Sequence, residues 1–355
     1  MEYLFIHAEE LHKFLTDLEN EFLVYALFRK GNTQYLGEFS RETRGSKECP
    51  NGEMIPGFNV GGVRSPEPLK SFFFNARKQV AENYDGNLLA GREKAICLVG
   101  VKACDLQGLR ILDSVFSEGG YKDPYYTRER NRTLIISADC TNALDECFCL
   151  SLHGKPYPED GFDLNLSDIG NGYVVETGSE RGRDLIKNSP LFSPALKEQK
   201  MKRENQRTAV SGKVRSNIIE HNIPDWDNLK GVIGKNYKSG LWEEEAGTCV
   251  ECGACNTICP TCHCFLLYDQ LVEDRLGRFR IWDSCLIKDF ATVAGGANPR
   301  AKLWMRLRNR FEKKFDFFPE TTGDFACTGC GRCILACPGK IDIREVLRRN
   351  FANVS

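Results

Sequence analysis

Apolar positions in this chain recur with two periods, and the shift from one to the other marks out its organisation. Residues 9–19 place Leu11, Phe14, Leu15 and Leu18 on one helical stripe. Residues 22–28 and 35–39 are apolar and aromatic runs joined through Gly31 and Asn32, which predicts a hairpin. Residues 41–68 are rich in Gly, Pro, Ser and charge and predict a long surface loop, with Cys49 as a lone loop thiol. Residues 70–82 carry Phe72, Phe73, Ala76 and Val80 at helical spacing and predict a helix.

The run AICLVGV over residues 95–101 is continuously apolar, as expected of a strand buried on both faces. Helical periodicity follows over 105–116, and TLIIS at 133–137 is a second strand. Strand, helix, strand with a right-handed crossover makes the two strands parallel. Ligands of such sheets gather beyond the carboxyl ends of the strands. Cys104 and Cys140 each lie three residues past one of these strands, and Cys147 and Cys149 follow in DECFC. Four thiols at one rim predict a metal cluster assembled from separate loops, with buried structural thiols as the plain alternative. Cys97, inside its strand, reads as such a structural thiol.

Residues 162–176 alternate around Gly170 and Gly172 and predict another hairpin. GSERGRDLI at 178–186 lacks a full phosphate-loop pattern. Residues 190–230 are polar, and 197–207 are nearly all charged or amide, predicting a solvated helix and linker. The pattern thus predicts an α/β domain over 1–190, a charged linker and helix over 191–235, and a mostly α-helical domain over 236–355. Within the last, helices are expected at 266–276, 300–314 and 344–351. The 300–314 segment is basic, with Leu303, Leu307 and Phe311 inward and the charge reading as a solvated face.

Composition narrows the chemistry. With 355 residues, 41% of them hydrophobic, the chain can fill two or three cores. A net charge of −1 offers no basic footprint for nucleic acid. No apolar run is long enough to span a bilayer, and the first residues carry acids without a basic signal-peptide region. Cytoplasmic residence is therefore expected, and the 17 cysteines read as reduced thiols available to metal.

Eight of them form two identical patterns. Cys249, Cys252, Cys255 and Cys259 are spaced CxxCxxCxxxCP, and Cys327, Cys330, Cys333 and Cys337 repeat the spacing. Closely wound soft thiolates suit a [4Fe-4S] cluster. Zinc also accepts four thiolates, but its modules set two CxxC pairs apart across a long loop. In two-cluster ferredoxins the fourth cysteine of each run serves the other cluster. Carried over, Cys249, Cys252, Cys255 and Cys337 hold one cluster, and Cys327, Cys330, Cys333 and Cys259 its neighbour. Cys262, Cys264 and Cys285 lie between the motifs. They either donate hydrogen bonds to a cluster or ligate iron themselves, with His263 and Asp283 adjacent but no obvious fourth ligand.

These residues carry a family likeness. The run CVECGACNTICPTCHCF, then WDSC, AGGANPR and CTGCGRCILACPGKID, resembles the β subunit of sulfhydrogenase-type NiFe hydrogenases and the A subunit of anaerobic sulfite reductase. GVRSPEPLKSFFF, VGVKACDLQGLRILD and DPYYTRER extend the resemblance over almost the whole chain, with Ala297 and Lys102-Ala103 as departures. The resemblance implies a ferredoxin-like C-terminal domain, and a third cluster at Cys104, Cys140, Cys147 and Cys149. It also implies electron transfer between a flavin-containing NAD(P)-reactive partner and a catalytic oxidoreductase subunit. No motif for making or breaking substrate bonds stands beside it. Direct reduction of a small substrate, or a scaffold with structural clusters, are the rival readings.

Overall fold

The computed structural model describes residues 3–40, 58–83 and 86–354. The strands are β1 (Tyr3–His7), β2 (Phe22–Lys30), β3 (Thr33–Glu38), β4 (Arg77–Glu82), β5 (Ala95–Val101), β6 (Leu134–Ala138), β7 (Leu164–Asp168), β8 (Gly172–Thr177), β9 (Ser193–Pro194), β10 (Phe265–Val272) and β11 (Arg275–Trp282). Eight form one sheet in the order β3-β2-β5-β6-β7-β8-β1-β9. Its centre, β2-β5-β6-β7, is parallel, and the pairs outside that centre are antiparallel. Burial on both faces explains the unbroken apolar run of β5.

The helix Ala8–Leu18 covers one face, burying Leu11, Phe14, Leu15 and Leu18 as its periodicity predicts. The helix Ala103–Phe116 covers the other with Leu106, Leu109, Leu112 and Phe116. It begins at the carboxyl end of β5, so Cys104 emerges on the rim that also carries Cys140 beyond β6. The predicted hairpins β2-β3 and β7-β8 form.

Several expectations give way. Residues 70–82 are a short 3-10 turn, Leu69–Phe72, followed by β4, because β4 pairs with β11 across the chain. Tertiary pairing overrides the local helical spacing. Residues 266–276 are strand as well, since β10 and β11 form a hairpin through Glu273 and Asp274, both with positive φ (48° and 65°). Two left-handed residues are what a tight turn matching strand twist requires. The charged stretch of 197–207 opens the 24-residue helix Lys197–Glu220, which returns onto the large sheet. Arg203 donates to Ser167 Oγ at 3.1 Å and pairs with Glu176, while Arg207 forks onto Asp139 at 2.7 and 3.1 Å. Finally, residues 58–68 of the expected surface loop are largely inside: Val60, Arg64 and Ser65 are buried. Cys49 and residues 41–57 lie outside the described residues.

The C-terminal region packs short helices and the segment Leu303–Glu312 around Trp242, Leu307, Phe311, Phe315 and Phe325. Helix continues from Glu312 through a π turn, Lys313–Phe317. Arg306, Arg310 and Lys314 on this stretch are buried, contrary to the solvated face expected of them. The terminal helix Ile343–Ala352 forms as predicted.

Candidate iron-sulfur centres

The two cysteine motifs share one backbone. The third residue of each, Glu251 and Gly329, has φ of 56° and 62°. Gly253 and Gly331, at matching positions, have φ of 70° and 71° and cap the four-residue helices Ala254–Thr257 and Arg332–Leu335. Only glycine enters this region freely. The backbone N–H groups of Glu251 and Gly329 point at Cys249 and Cys327 respectively, favouring the thiolate in each.

Cys249, Cys252, Cys255, Cys333 and Cys337 line one void with Leu286, Leu307, Phe311, Ile343 and Arg310. Cys337 accepts from the Ile341 N–H at 3.3 Å. The fourth cysteine of the second motif therefore faces the first motif. Cys327 and Cys333 face Cys259, and Cys333 also lies near Cys330. Among the described residues no three His, Cys, Asp or Glu side chains close on one point, as a single zinc ion requires.

The N-terminal four also come together. Cys104, Cys140, Cys147 and Cys149 border one void with Arg64, Val214 and Cys330. The ferredoxin loop sits directly on it: Phe148 N donates to Gly329 O at 2.9 Å, and a Cβ built on Gly329 would stand 2.6 Å from Cys149 N and Cα. Cys330 is thus shared ground between this site and the second motif.

Burial raises most of these thiols, Cys327 to about 12 and both Cys140 and Cys333 to about 11. Such thiols ionise when metal replaces the proton. Cys259 is the exception, held below the ordinary thiol value by a hydrogen bond from Cys262 and by Lys314 and Arg310. Lys314 Nζ lies 3.3 Å from Cys259 Sγ and also donates to Thr261 Oγ1 and Ala326 O, both at 2.9 Å. Burial alone would lower this ammonium group, but Cys259 and Cys262 hold it above its usual value.

Sequence reasoning missed these cations. Arg310 lies between the motifs, facing Cys255 and Cys333, and donates to Asn256 Oδ1 at 2.9 Å. Arg64 donates to Cys330 O at 2.5 Å, and Arg332 pairs with Asp105 at 2.8 Å. Lys102 is buried below the N-terminal site, donating to Val60 O at 2.6 Å and Asp139 O at 3.2 Å. Among the described residues, Arg64 Nη2, Arg310 Nη2, Arg332 Nη1 and Thr328 Oγ1 are buried without a partner. Buried donors are seldom left so. All-thiolate ligands, apolar walls and orphaned donors fit anionic iron-sulfur clusters, whose sulfides accept hydrogen bonds.

This arrangement defines a ferredoxin-like iron-sulfur protein, and the family model for a 4Fe-4S dicluster domain matches residues 248–341. Over its length the chain is 30% identical, across 359 aligned positions covering 98% of each chain, to sulfhydrogenase 2 subunit beta of Pyrococcus furiosus. The chain belongs to the family of sulfhydrogenase β subunits.

Proposed function

We propose that this chain is the electron-relay subunit of a multi-subunit oxidoreductase of the hydrogenase or sulfite-reductase type. It stands between a flavin-bearing, NAD(P)-linked subunit and a catalytic subunit, in the cytoplasm; among the described residues no helix is long and apolar enough to cross a membrane. When bound, a [4Fe-4S] cluster supplies a site that takes up and releases one electron. Three such sites are proposed: Cys104, Cys140, Cys147 and Cys149; Cys259, Cys327, Cys330 and Cys333; and Cys249, Cys252, Cys255 and Cys337.

The observation that carries this reading is the seat of Gly329 and Cys330 on the loop of Cys147 and Cys149. It makes the thiols a continuous line from the N-terminal sheet to the first motif. Arg64, Arg310, Arg332 and Lys314 offset negative charge along that line. Leu286, Leu307 and Phe311 keep water from one end of it. Exposed Cys252 and Val250 bring that end to the surface, where a partner can approach.

Exchange of Cys330 for Ser in the assembled complex tests the reading. The middle site should lose its paramagnetic signal and electron transfer between the partner subunits should stop, while co-purification with the partners persists. Undiminished turnover would refute the relay role.

A further inference from the structure

Besides Cys97, buried within β5, three described thiols remain outside this line. Cys262, Cys264 and Cys285 border a cavity of about 360 Å³, together with Asp283, Arg310 and Lys313. All three are free, and Cys285 is buried. They come from two separate segments: the turn after the first motif and the loop after β11. What gathers them is Asn256, which donates to Cys285 Sγ at 3.2 Å and to Ser284 Oγ at 3.0 Å. Cys262 Sγ lies 3.7 Å from Asn256 Oδ1, and Cys264 faces Cys285.

Charge supplies a second, independent observation. Lys70 is buried beside this cavity, donating to Asn256 O at 3.2 Å and Cys262 O at 3.0 Å and lying over the Trp282 ring. It faces Cys262, Cys259 and Cys264, and among the described residues it has no carboxylate partner. Arg310 and Lys314, which attend the two motifs, line this cavity as well, and Lys70 adds a further buried basic group next to Cys262. Burial pulls this amine below its ordinary value and the thiols facing it push it back up, so negative charge held on those thiols would favour its charged form. Free thiols bordering a void beside a buried cation also mark the N-terminal set, with Arg64, and the first motif, with Arg310.

We infer that Cys262, Cys264 and Cys285 hold a further iron-sulfur cluster beside the dicluster, with three protein thiolates and one iron turned toward the open cavity. Three soft thiolates suit iron-sulfur chemistry better than a hard cation. The fourth corner is left to Asp283 or to a small ligand from solvent. That would give this subunit an iron whose fourth ligand a small molecule can replace, unlike the relay sites with four protein thiolates each.

The test uses the full-length protein isolated without oxygen. Wild type is compared with Cys262→Ser and with the double variant Cys264→Ser/Cys285→Ser for iron, acid-labile sulfide and paramagnetic resonance. The inference expects a loss of about four irons and four sulfides per chain, with the dicluster signals retained. Ferricyanide should also draw one iron from the wild-type site, leaving a three-iron signal that the variants lack. A variant that fails to fold is bypassed by alkylating the wild type: ligands to a cluster resist iodoacetamide until iron is chelated. Unchanged iron content in folded variants, stoichiometric zinc, or prompt alkylation of these three thiols in the iron-loaded protein would overturn it. Failure of the relay reading would show instead as loss of the signals that depend on Cys330.

Discussion

Replacing Lys314 with Met removes one buried positive charge from beside Cys259 while keeping much of the side chain's bulk. The ammonium group lies 3.3 Å from the ligand sulfur, and added charge on the site would spread over the cluster behind it. Taking a separation of roughly 6 Å to the centre of that charge and an effective dielectric constant of about 20 gives about 2.8 kcal/mol. A tenfold change in a one-electron equilibrium is about 1.4 kcal/mol or 59 mV, so the loss corresponds to about 120 mV. The sign follows from charge: without the cation the more negative, reduced state is less favoured, and the potential falls. Lys314→Arg, which keeps the charge, should shift far less. The assay is a redox titration of the purified chain followed by paramagnetic resonance, reading the site that Cys330 serves. A Met variant within a third of the expected shift would mean that Lys314 does not govern that site.

Other parts of the structure answer to separate measurements. Gly329→Ala would drive a Cβ to 2.6 Å from Cys149 at a φ of 62°, so the N-terminal site should lose iron while the first motif keeps its own, read by iron count and spectrum. Asp105→Ala leaves the buried Arg332 guanidinium unpaired and should cost about 3–5 kcal/mol in denaturant unfolding. Burial lifts Asp316 to about 6 from an ordinary 3.8, although the Gly234 N–H opposes the shift. A carboxyl raised in the folded state contributes stability below its unfolded value and loses it as pH rises through the folded one. Asp316→Asn should therefore raise thermal stability relative to wild type above about pH 6 and leave it little changed below pH 4.

Much of the site was legible in the chain because ligand spacing is local. The two motifs announce themselves, and matched placement of Cys104 and Cys140 past two buried strands brings the N-terminal thiols to one rim. What escaped depends on contacts between distant segments. Residues 70–82 and 266–276 become strands because β4, β10 and β11 pair with one another, which no local period encodes. The hairpin turn at Glu273 and Asp274 lacks the Asn-Gly signal that usually betrays it. Arg310 and Lys314 were discoverable: counted at 3.6 residues per turn they fall among Leu303 and Leu307, inside the apolar stripe. Charge at such positions is buried and needs an anion. Arg64 and Arg332 gave no such sign, since their partners Cys330 and Asp105 come from remote parts of the chain.

The central claim is that the N-terminal thiols and the ferredoxin motifs form one electronic line through Cys330. Paramagnetic resonance of the fully reduced protein, compared with its Cys140→Ser variant, addresses this directly. Spin coupling between the N-terminal and middle sites should broaden the wild-type spectrum, and the variant should lose the N-terminal signal while the middle signal sharpens. A middle signal identical in both proteins would contradict the account.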